Sequence, residues 1–369
     1  MPARNATAAT PPLAGRKDGI AKDGIAVVRR AGYDDIALYS APQQRCAVDL
    51  SDNVNLWGAP PSALVAVRTT IEESVSRYPV AYEPALRNAL ARHAGVAPEM
   101  IVAGCGSDDV LDSAMRAFAE PGDTVCLPAP SFSMIPVFAR VNGLVPVAVP
   151  LTLELDADVE RMLETRARIT YLCSPNNPTG QAFSPQAVER IIDGAAGLVI
   201  IDQAYAEFGG ESFTRLVMSR RPVLVTRTMS KAFGLAGLRV GYGIGSPDVI
   251  GEILKVRGPY RISAPAEAGA IAVLTNDQSW VTERVAEVVA NRARFSRELA
   301  LSGFSPVPSA ANFVLVPVEN STTLSAKLHD AGIGVRELRA LPGIGDALRI
   351  GIGPWHLMQR CLDALARAA

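Results

Sequence analysis

Residues 228–239 read Thr228-Met229-Ser230-Lys231-Ala232-Phe233-Gly234-Leu235-Ala236-Gly237-Leu238-Arg239. They follow an apolar, β-branched run at residues 223–226, which predicts the end of a buried strand. A lysine amine can condense with an aldehyde to form a Schiff base, provided that the amine can become neutral. The hydroxyls of Thr228 and Ser230 suit a phosphate, and the guanidinium of Arg239 can bind two phosphate oxygens at once. An aldehyde and a phosphate together indicate pyridoxal 5′-phosphate (PLP). A surface lysine beside a glycine-containing loop is the alternative interpretation of this stretch taken alone.

Two further predicted strands end in polar residues. Residues 198–201 form a continuous apolar run, which is typical of a strand covered on both faces, and Asp202 follows directly. A buried carboxylate needs a partner, and a protonated pyridine nitrogen would supply one. Residues 169–173 predict another strand, followed by a turn that contains Asn177. Open α/β sheets bind their ligands at such strand ends.

A glycine turn predicts an anion site. Residues 101–103 form a short apolar strand, and residues 104–107 turn it into an amphipathic helix. The N–H groups of Gly106, Ser107 and Asp108 are candidate phosphate donors, because free N–H groups and the helix dipole both favour an anion there. Ser107 can also serve as the N-cap of the helix. A nucleotide-binding α/β module is the alternative from a different class, but the G-x-G-x-x-G pattern fails at Asp109.

The spacing of the lysine stretch, S-K-x-x-x-x-x-G-x-R, resembles the PLP-dependent aminotransferases of fold type I. More narrowly, it resembles the histidinol-phosphate aminotransferase branch. The motifs also occur in that family's order: glycine turn, aromatic residue, N-P-T-G, D-x-x-Y, S-K and L-R-I-x-x-G. The resemblance covers about residues 48 to 369. One departure is Gln203, which stands where the family usually has Glu in D-E-A-Y.

The resemblance implies a role for each matching residue. Lys231 would form the Schiff base and act as general base, while Asp202 would pair with the ring nitrogen. Tyr205 and Asn177 would share the phenolic oxygen of the cofactor. Phe132 would stack on the ring. The remaining residues implied to bind the cofactor are Gly106, Ser107, Asp108, Thr228, Ser230 and Arg239.

A partner subunit would complete the site. The family's R-Y-P tyrosine crosses the dimer interface and donates its hydroxyl to the cofactor phosphate of the other subunit, and Tyr78 matches that tyrosine. The resemblance therefore implies a homodimer.

Substrate residues are implied by two further motifs. Residues 53–58 resemble part of the family's N-E-N-P-Y-G-P segment, in which Asn55 would reach the substrate, although Val54 and Leu56 replace the Glu and the Pro. Arg349, in the L-R-I-x-x-G match, would bind a substrate carboxylate bidentately, with Arg336 assisting a phosphate.

The expected fold class is α/β, PLP fold type I. A large α/β/α domain with a mostly parallel central sheet is expected over residues 48–262, and a smaller α+β domain over residues 263–369. Residues 1–47 would form an N-terminal tail and arm, part of which joins the small domain, with a short arm or helix at 26–40. A long charged helix is expected over 280–301 and a hairpin-like β segment over 304–318.

Composition excludes several classes of protein. The net charge is −1, so nothing indicates nucleic acid or an anionic membrane surface. Five cysteines lack metal-ligand or disulfide spacing, and three histidines lie far apart in the sequence. No metal site is expected. Without an apolar signal segment near the N-terminus, the expected location is the cytoplasm.

These observations together predict a transaminase. Its amino group would move between histidinol phosphate and 2-oxoglutarate, as in histidine biosynthesis. An aromatic amino acid aminotransferase is the first alternative, because Trp57 and Phe132 would accept an aromatic ring as readily as an imidazole. A PLP lyase of the same architecture, such as a threonine-phosphate decarboxylase, is the second.

Overall fold

The computed structural model describes residues 33, 36, 46–218 and 222–368. Contacts divide the chain into residues 1–40 and residues 41–369. In the first unit, the Ile36 N–H donates to the Tyr33 carbonyl at 3.1 Å. The rest of the arm predicted at 26–40 lies outside the described residues.

A seven-stranded sheet forms the centre of the described part of the second unit. The strands are β2 (Ile101–Cys105), β3 (Thr124–Ala129), β4 (Val145–Pro150), β5 (Ile169–Cys173), β6 (Leu198–Asp202), β7 (Val223–Thr228) and β8 (Val240–Gly245). Their spatial order is β2-β8-β7-β6-β5-β3-β4, and the five strands from β7 to β4 run parallel. Strand β8 is antiparallel to both of its neighbours.

Helices cover this sheet, so its inner strands are buried on both faces, as continuous apolar runs require, whereas the edge strand β4 is largely accessible. Strands β5, β6 and β8 are buried at every residue. The helices of this part of the chain are α1 (Pro61–Ser74), α2 (Pro84–Ala94), α3 (Gly106–Phe118), α4 (Met134–Val141), α5 (Val159–Glu164), α6 (Pro185–Gly194) and α7 (Pro247–Lys255).

Smaller sheets and further helices follow in the chain. Strands β9 (Phe313–Pro317), β11 (Arg336–Leu341) and β12 (Gly345–Gly351) form an antiparallel sheet in the order β11-β12-β9. Strand β1 (Val48–Asp49) pairs in parallel with β10 (Ile333–Gly334). The helices are α8 (Ala264–Asn276), α9 (Gln278–Leu301), α10 (Ser321–Asp330) and α11 (Trp355–Ala368).

The hairpin-like β segment predicted over residues 304–318 forms only in part. The Val307 N–H donates to the Leu315 carbonyl at 2.8 Å, but only β9 forms a strand, and its strand partner is β12, about thirty residues later. Pro306 and Pro308 lack the N–H groups that a second strand would need, so residues 304–312 form no strand. The long helix predicted at 280–301 is confirmed as α9.

The sheet directions bring the predicted motifs to one edge. Since β8 is antiparallel to both β2 and β7, strands β2 and β7 run the same way. The carboxyl ends of β2, β5, β6 and β7 therefore face the same edge. These ends lead into the Gly106 turn, the Asn177 turn, Asp202 and the Lys231 segment.

No helix in the described ranges is both long enough and apolar enough to cross a membrane.

Candidate active site

Lys231 lies three residues beyond β7, in contact with the loop that follows β1. Its Nζ donates to the Asp52 carbonyl at 3.0 Å and lies 6.0 Å from the centroid of the Tyr205 ring. Burial and, next to it, the Arg349 cation lower the pKa of Lys231 to about 8. A larger share of this amine is therefore neutral near pH 7 than in an exposed lysine.

Asp202 ends β6 as a buried carboxylate, 3% exposed. The Tyr171 hydroxyl donates to Oδ2 at 2.9 Å and the Ala204 N–H to Oδ1 at 3.1 Å. Burial raises the pKa of Asp202 to about 6, and the hydrogen bond from Tyr171 opposes that rise. A deep carboxylate held by these neutral donors fits a cationic ring nitrogen.

The glycine turn and Arg239 meet at the start of α3. The Gly106 N–H donates to the Arg239 carbonyl at 2.9 Å, so the free donors of this turn are the first-turn N–H groups of Ser107 and Asp108. A Cβ on Gly106 would lie 2.6 Å from Arg239 Nη2, and the backbone there has a φ of +77°. Only glycine allows the guanidinium to approach this closely.

The exposed Arg239 guanidinium contacts two other residues that are predicted to bind the phosphate. Its Nη1 donates to Ser230 Oγ at 3.4 Å, and its Nη2 pairs with Asp108 Oδ2 at 3.4 Å. Thr228 Oγ1 accepts from the Ser230 N–H at 3.1 Å. Hydroxyls, helix N–H groups and a guanidinium therefore surround one small volume, which is the donor set that a phosphate takes.

Arg349 connects the small antiparallel sheet to this edge. It is 8% exposed, and its Nη1 donates to Asn177 Oδ1 at 2.7 Å and its Nη2 to the Ser51 carbonyl at 2.6 Å. Arg336 is the residue opposite Arg349 across β11 and β12, and its Nη2 donates to Asp52 Oδ1 at 2.7 Å. The two arginines predicted to meet substrate are therefore neighbours.

Tyr205 is fixed beside Lys231 as a neutral phenol. Its hydroxyl accepts from Asn53 Nδ2 at 3.2 Å, and its ring packs edge-on against Phe313, with centroids 5.2 Å apart. Burial raises the pKa of Tyr205 to about 12. The hydroxyl therefore keeps its proton and remains a hydrogen-bond donor.

Three predicted residues lie apart from these contacts. Asn55 donates from Nδ2 to the Ala232 carbonyl at 3.0 Å and accepts from the Trp57 N–H, so its amide links its own turn to the lysine segment. Phe132 is half-buried against the apolar cluster on one side of the sheet. Tyr78 is 85% exposed and stacks on Tyr260. Their predicted roles remain predictions.

A sequence model of the aminotransferase class I and II family matches residues 46–365. The chain belongs to this family. The expected fold class is confirmed, because the central sheet is mostly parallel and the fold matches that of a solved aminotransferase.

Several aminotransferases are similar to this chain. A histidinol-phosphate aminotransferase of Roseiflexus castenholzii is 38% identical over 335 residues, 87% of this chain and 90% of that protein. An aromatic amino acid aminotransferase of Mycobacterium tuberculosis is 40% identical over 288 residues, 75% of this chain and 80% of that protein. The crystal structure of histidinol-phosphate aminotransferase from Sinorhizobium meliloti in complex with pyridoxal-5′-phosphate has a TM-score of 0.83 and 28% identity, and the match covers 90% of this chain and 95% of that one.

Sequence reasoning missed three residues of this aminotransferase site. Tyr171 points from β5 to Asp202, and nothing in an apolar strand distinguishes it from a packed tyrosine. Asp52 and Asn53 contact Arg336 and Tyr205, although they stand next to the Asn55 motif. Their signal was a polar run, Ser51-Asp52-Asn53, directly after the buried residue Leu50.

Proposed function

We propose that this aminotransferase binds PLP through Lys231 and transfers an amino group between histidinol phosphate and 2-oxoglutarate. The observation that carries the proposal is one sheet edge bearing a lysine amine with a pKa of about 8, a buried aspartate and a phosphate-type donor set. Histidinol-phosphate aminotransferases are among the relatives that match most of the chain.

The residues present fit the cofactor. Lys231 would hold its aldehyde carbon, Asp202 its ring nitrogen, and Ser107, Ser230 and Arg239 its phosphate, with Thr228 supporting Ser230. When bound, PLP supplies an electron sink for the pair left behind when the substrate Cα loses its proton. Because Gly106 has no Cβ, the space that a Cβ would fill is open to the Arg239 side chain beside that phosphate.

Lys231 would carry the proton. Its amine takes the proton from the substrate Cα as a general base, which requires a neutral amine at the working pH. Burial and the Arg349 cation favour that neutral form. Tyr205 and Asn177 would hold the phenolic oxygen, with Tyr205 as a donor, because the pKa of its hydroxyl stays far above neutrality.

Two arginines would bind the anionic groups of the substrates. Arg349 lies against the Asn177 turn and suits the carboxylate next to the reacting carbon of 2-oxoglutarate or glutamate. Arg336 lies opposite Arg349 across β11 and β12 and suits the phosphate of histidinol phosphate. Asn55 would border the same volume through the turn that it shares with Trp57.

An aromatic amino acid aminotransferase is the second candidate. The relative from Mycobacterium tuberculosis supports it, since its 40% identity extends over 75% of this chain. Trp57 and Phe132 offer aromatic surfaces for such a side chain.

We further propose a cytoplasmic homodimer with the predicted domains at residues 48–262 and 263–369. Support comes from apolar residues exposed along α1 and beyond it, Leu64, Val65, Ile71, Val75, Tyr78 and Val80, which a single chain leaves in water. Such a face suits a two-fold partner, and Tyr78 of the partner subunit would then donate to the cofactor phosphate.

The test is a half-reaction screen. Purified protein loaded with PLP is mixed with histidinol phosphate or with phenylalanine, and loss of the cofactor's long-wavelength absorbance is followed. Histidinol phosphate is expected to bleach the band at the lower concentration. Subsequent addition of 2-oxoglutarate should restore the band and form glutamate, because the amino group held by the cofactor passes to the 2-oxo acid. Preference for phenylalanine would favour the second candidate, and CO2 release would indicate a lyase.

The lysine assignment has its own control. Lys231→Ala is expected to bind PLP without the band typical of a lysine-linked aldehyde, whereas Lys255→Ala, at an exposed lysine of α7, should keep it. Persistence of the band in Lys231→Ala would contradict the assignment.

A further inference from the structure

The Asp52 carboxylate is paired with Arg336, the arginine that is expected to bind the substrate phosphate. Asp52 Oδ1 accepts from Arg336 Nη2 at 2.7 Å, and the Arg336 side chain is only 17% exposed. The Asp52 side chain is 56% exposed, so its carboxylate lies at the boundary with solvent. A substrate anion that approaches from solvent therefore meets a carboxylate beside the guanidinium.

The position of that carboxylate is fixed by its own main chain. The Asp52 carbonyl accepts from Lys231 Nζ, and the carbonyl of the preceding residue, Ser51, accepts from Arg349 Nη2. The next residue, Asn53, donates to the Tyr205 hydroxyl and has a φ of +54°, in the left-handed region. Three consecutive residues are thus bonded to three site residues, unlike a casual surface ion pair, which carries little energy or specificity.

Charge explains why a carboxylate is stable there. Arg336 and Arg349 stand opposite each other on β11 and β12, so two guanidinium groups share a partly buried region. The Asp52 carboxylate, paired with Arg336, reduces their mutual repulsion when no anionic substrate is bound. The same acid repels an arriving phosphate dianion, because juxtaposed like charges oppose binding.

We propose that Asp52 is a specificity-determining residue that competes with the phosphate of the amine substrate for Arg336. A phosphate-bearing amine must displace or share the Asp52 carboxylate, whereas an amine with a neutral side chain need not. Asp52 therefore weakens the binding of phosphorylated amines and free phosphate. Because it leaves the binding of aromatic amines without a phosphate unchanged, it reduces the factor by which phosphorylated amines bind more tightly than these. This inference rests on the proposed function, since it assigns the substrate phosphate to Arg336.

The experiment compares the PLP-loaded enzyme with its Asp52→Asn variant, which keeps the size of the side chain and removes the charge. Binding of inorganic phosphate is measured by calorimetry, and the half-reactions with histidinol phosphate and phenylalanine by absorbance. The variant is expected to bind inorganic phosphate and histidinol phosphate about tenfold more tightly. The concentration of phenylalanine that half-saturates the reaction should change less than about twofold, since no anion meets Arg336.

Two controls distinguish the effect of the Asp52–Arg336 pair from a general effect of removing one negative charge near the site. Asp49→Asn removes a nearby charge but retains the oxygen that accepts from the Ser51 N–H, so it should leave phosphate binding unchanged. In an Arg336→Met background, Asp52→Asn should lose its effect on phosphate, because the contested guanidinium is gone.

Each other outcome identifies what fails. If the enzyme is active but Asp52→Asn leaves phosphate affinity unchanged or weakens it, the competition is refuted while the proposed function stands. An equal gain in Asp49→Asn, or a gain that persists without Arg336, would also refute it. If neither amine bleaches the cofactor band of the parent enzyme, the proposed function itself fails.

Discussion

At the scale of single residues, the chemistry of this aminotransferase depends on how charges are placed around one amine. Burial, Arg349 and Arg239 lower the pKa of Lys231, whereas Asp52 and Asp108 raise it. The lowering effects prevail because burial penalises the ammonium form directly. The outcome is a lysine that can react as a nucleophile and a base near neutrality.

The first prediction follows from that pKa. The rate at which cofactor-free enzyme captures PLP should rise with pH, with a midpoint near pH 8, because the neutral amine is the nucleophile. Stopped-flow absorbance over pH 6 to 10 measures it. Arg349→Met removes a neighbouring cation, which should raise the pKa of Lys231 and shift the midpoint upward. A midpoint above pH 10 in the parent enzyme would contradict the lowered pKa of Lys231.

The second prediction concerns Tyr171, whose hydroxyl donates to Asp202. A hydrogen bond to the charged form lowers the pKa of a carboxyl, so Tyr171→Phe should raise the pKa of Asp202 above its present value of about 6. Near pH 7 less Asp202 would then be ionised to hold the ring nitrogen. We expect PLP affinity to fall about tenfold, and the loss to deepen as the pH falls from 8 to 6.

Tyr242→Phe is the matched control for that substitution. Tyr242 is also a fully buried tyrosine of the central sheet, but its hydroxyl has no hydrogen-bond partner in the described structure. Its removal should leave PLP affinity and its pH dependence unchanged. Equal losses in both variants would trace the effect to general packing of the sheet.

At the scale of elements, the predicted phosphate site, which includes the N–H groups of Ser107 and Asp108, depends on how closely α3 approaches β8. A Cβ at Gly241 would lie 2.2 Å from the Ser107 nitrogen and 2.4 Å from the Gly106 carbonyl carbon. These are backbone atoms at the start of the helix, so they cannot rotate away as a flexible side chain would. Gly241 thus sets where the helix N–H groups lie.

The third prediction tests that approach. Gly241→Ala should destabilise the protein by about 2–3 kcal/mol and weaken PLP binding, because the start of α3 must move away from Arg239. Gly251→Ala is the control, since that glycine lies inside α7 with open space around it. It should stabilise the protein by about 0.5–1 kcal/mol and leave PLP binding unchanged. Thermal unfolding and PLP titration measure both effects, and an unchanged PLP affinity in Gly241→Ala would contradict the proposed importance of the approach.

The strands of this fold, and the site residues that come after them, were predictable where the local sequence pattern alone determines the structure. Uninterrupted apolar runs predicted β6 and the first part of β7; Asp202 follows the first run directly, and Lys231 lies three residues beyond β7. The partner of β9 was not predictable, because pairing with β12 depends on contacts distant in sequence. The bonds from Tyr171 to Asp202 and from Arg336 to Asp52 were hidden for the same reason, since they join side chains 31 and 284 positions apart.

At the scale of the whole molecule, one residue predicted to bind the cofactor lies apart from the site residues of its own subunit. Tyr78 is predicted to contact the cofactor phosphate, yet its ring is exposed and stacks on Tyr260. The exposed apolar residues of α1 precede it in the chain. A two-fold dimer through this region would bury those residues and give each site one residue from its partner.

The fourth prediction is complementation between two defective subunits. Tyr78→Ala and Lys231→Ala homodimers should each be impaired, the first in PLP affinity and the second in chemistry. In a heterodimer, the subunit that keeps Lys231 would receive Tyr78 of the partner subunit, so one of its two sites is intact. Random pairing makes about half of the dimers mixed, so co-expression should restore about a quarter of the parent activity at low PLP concentration. Pairing Lys231→Ala with Asp202→Ala should restore no activity, because those two residues act in the same subunit and each site of the mixed dimer lacks one of them. If two different affinity tags show that Tyr78→Ala and Lys231→Ala subunits form mixed dimers, but these recover no more activity than the control pair, Tyr78 serves its own subunit and the shared-site proposal is wrong.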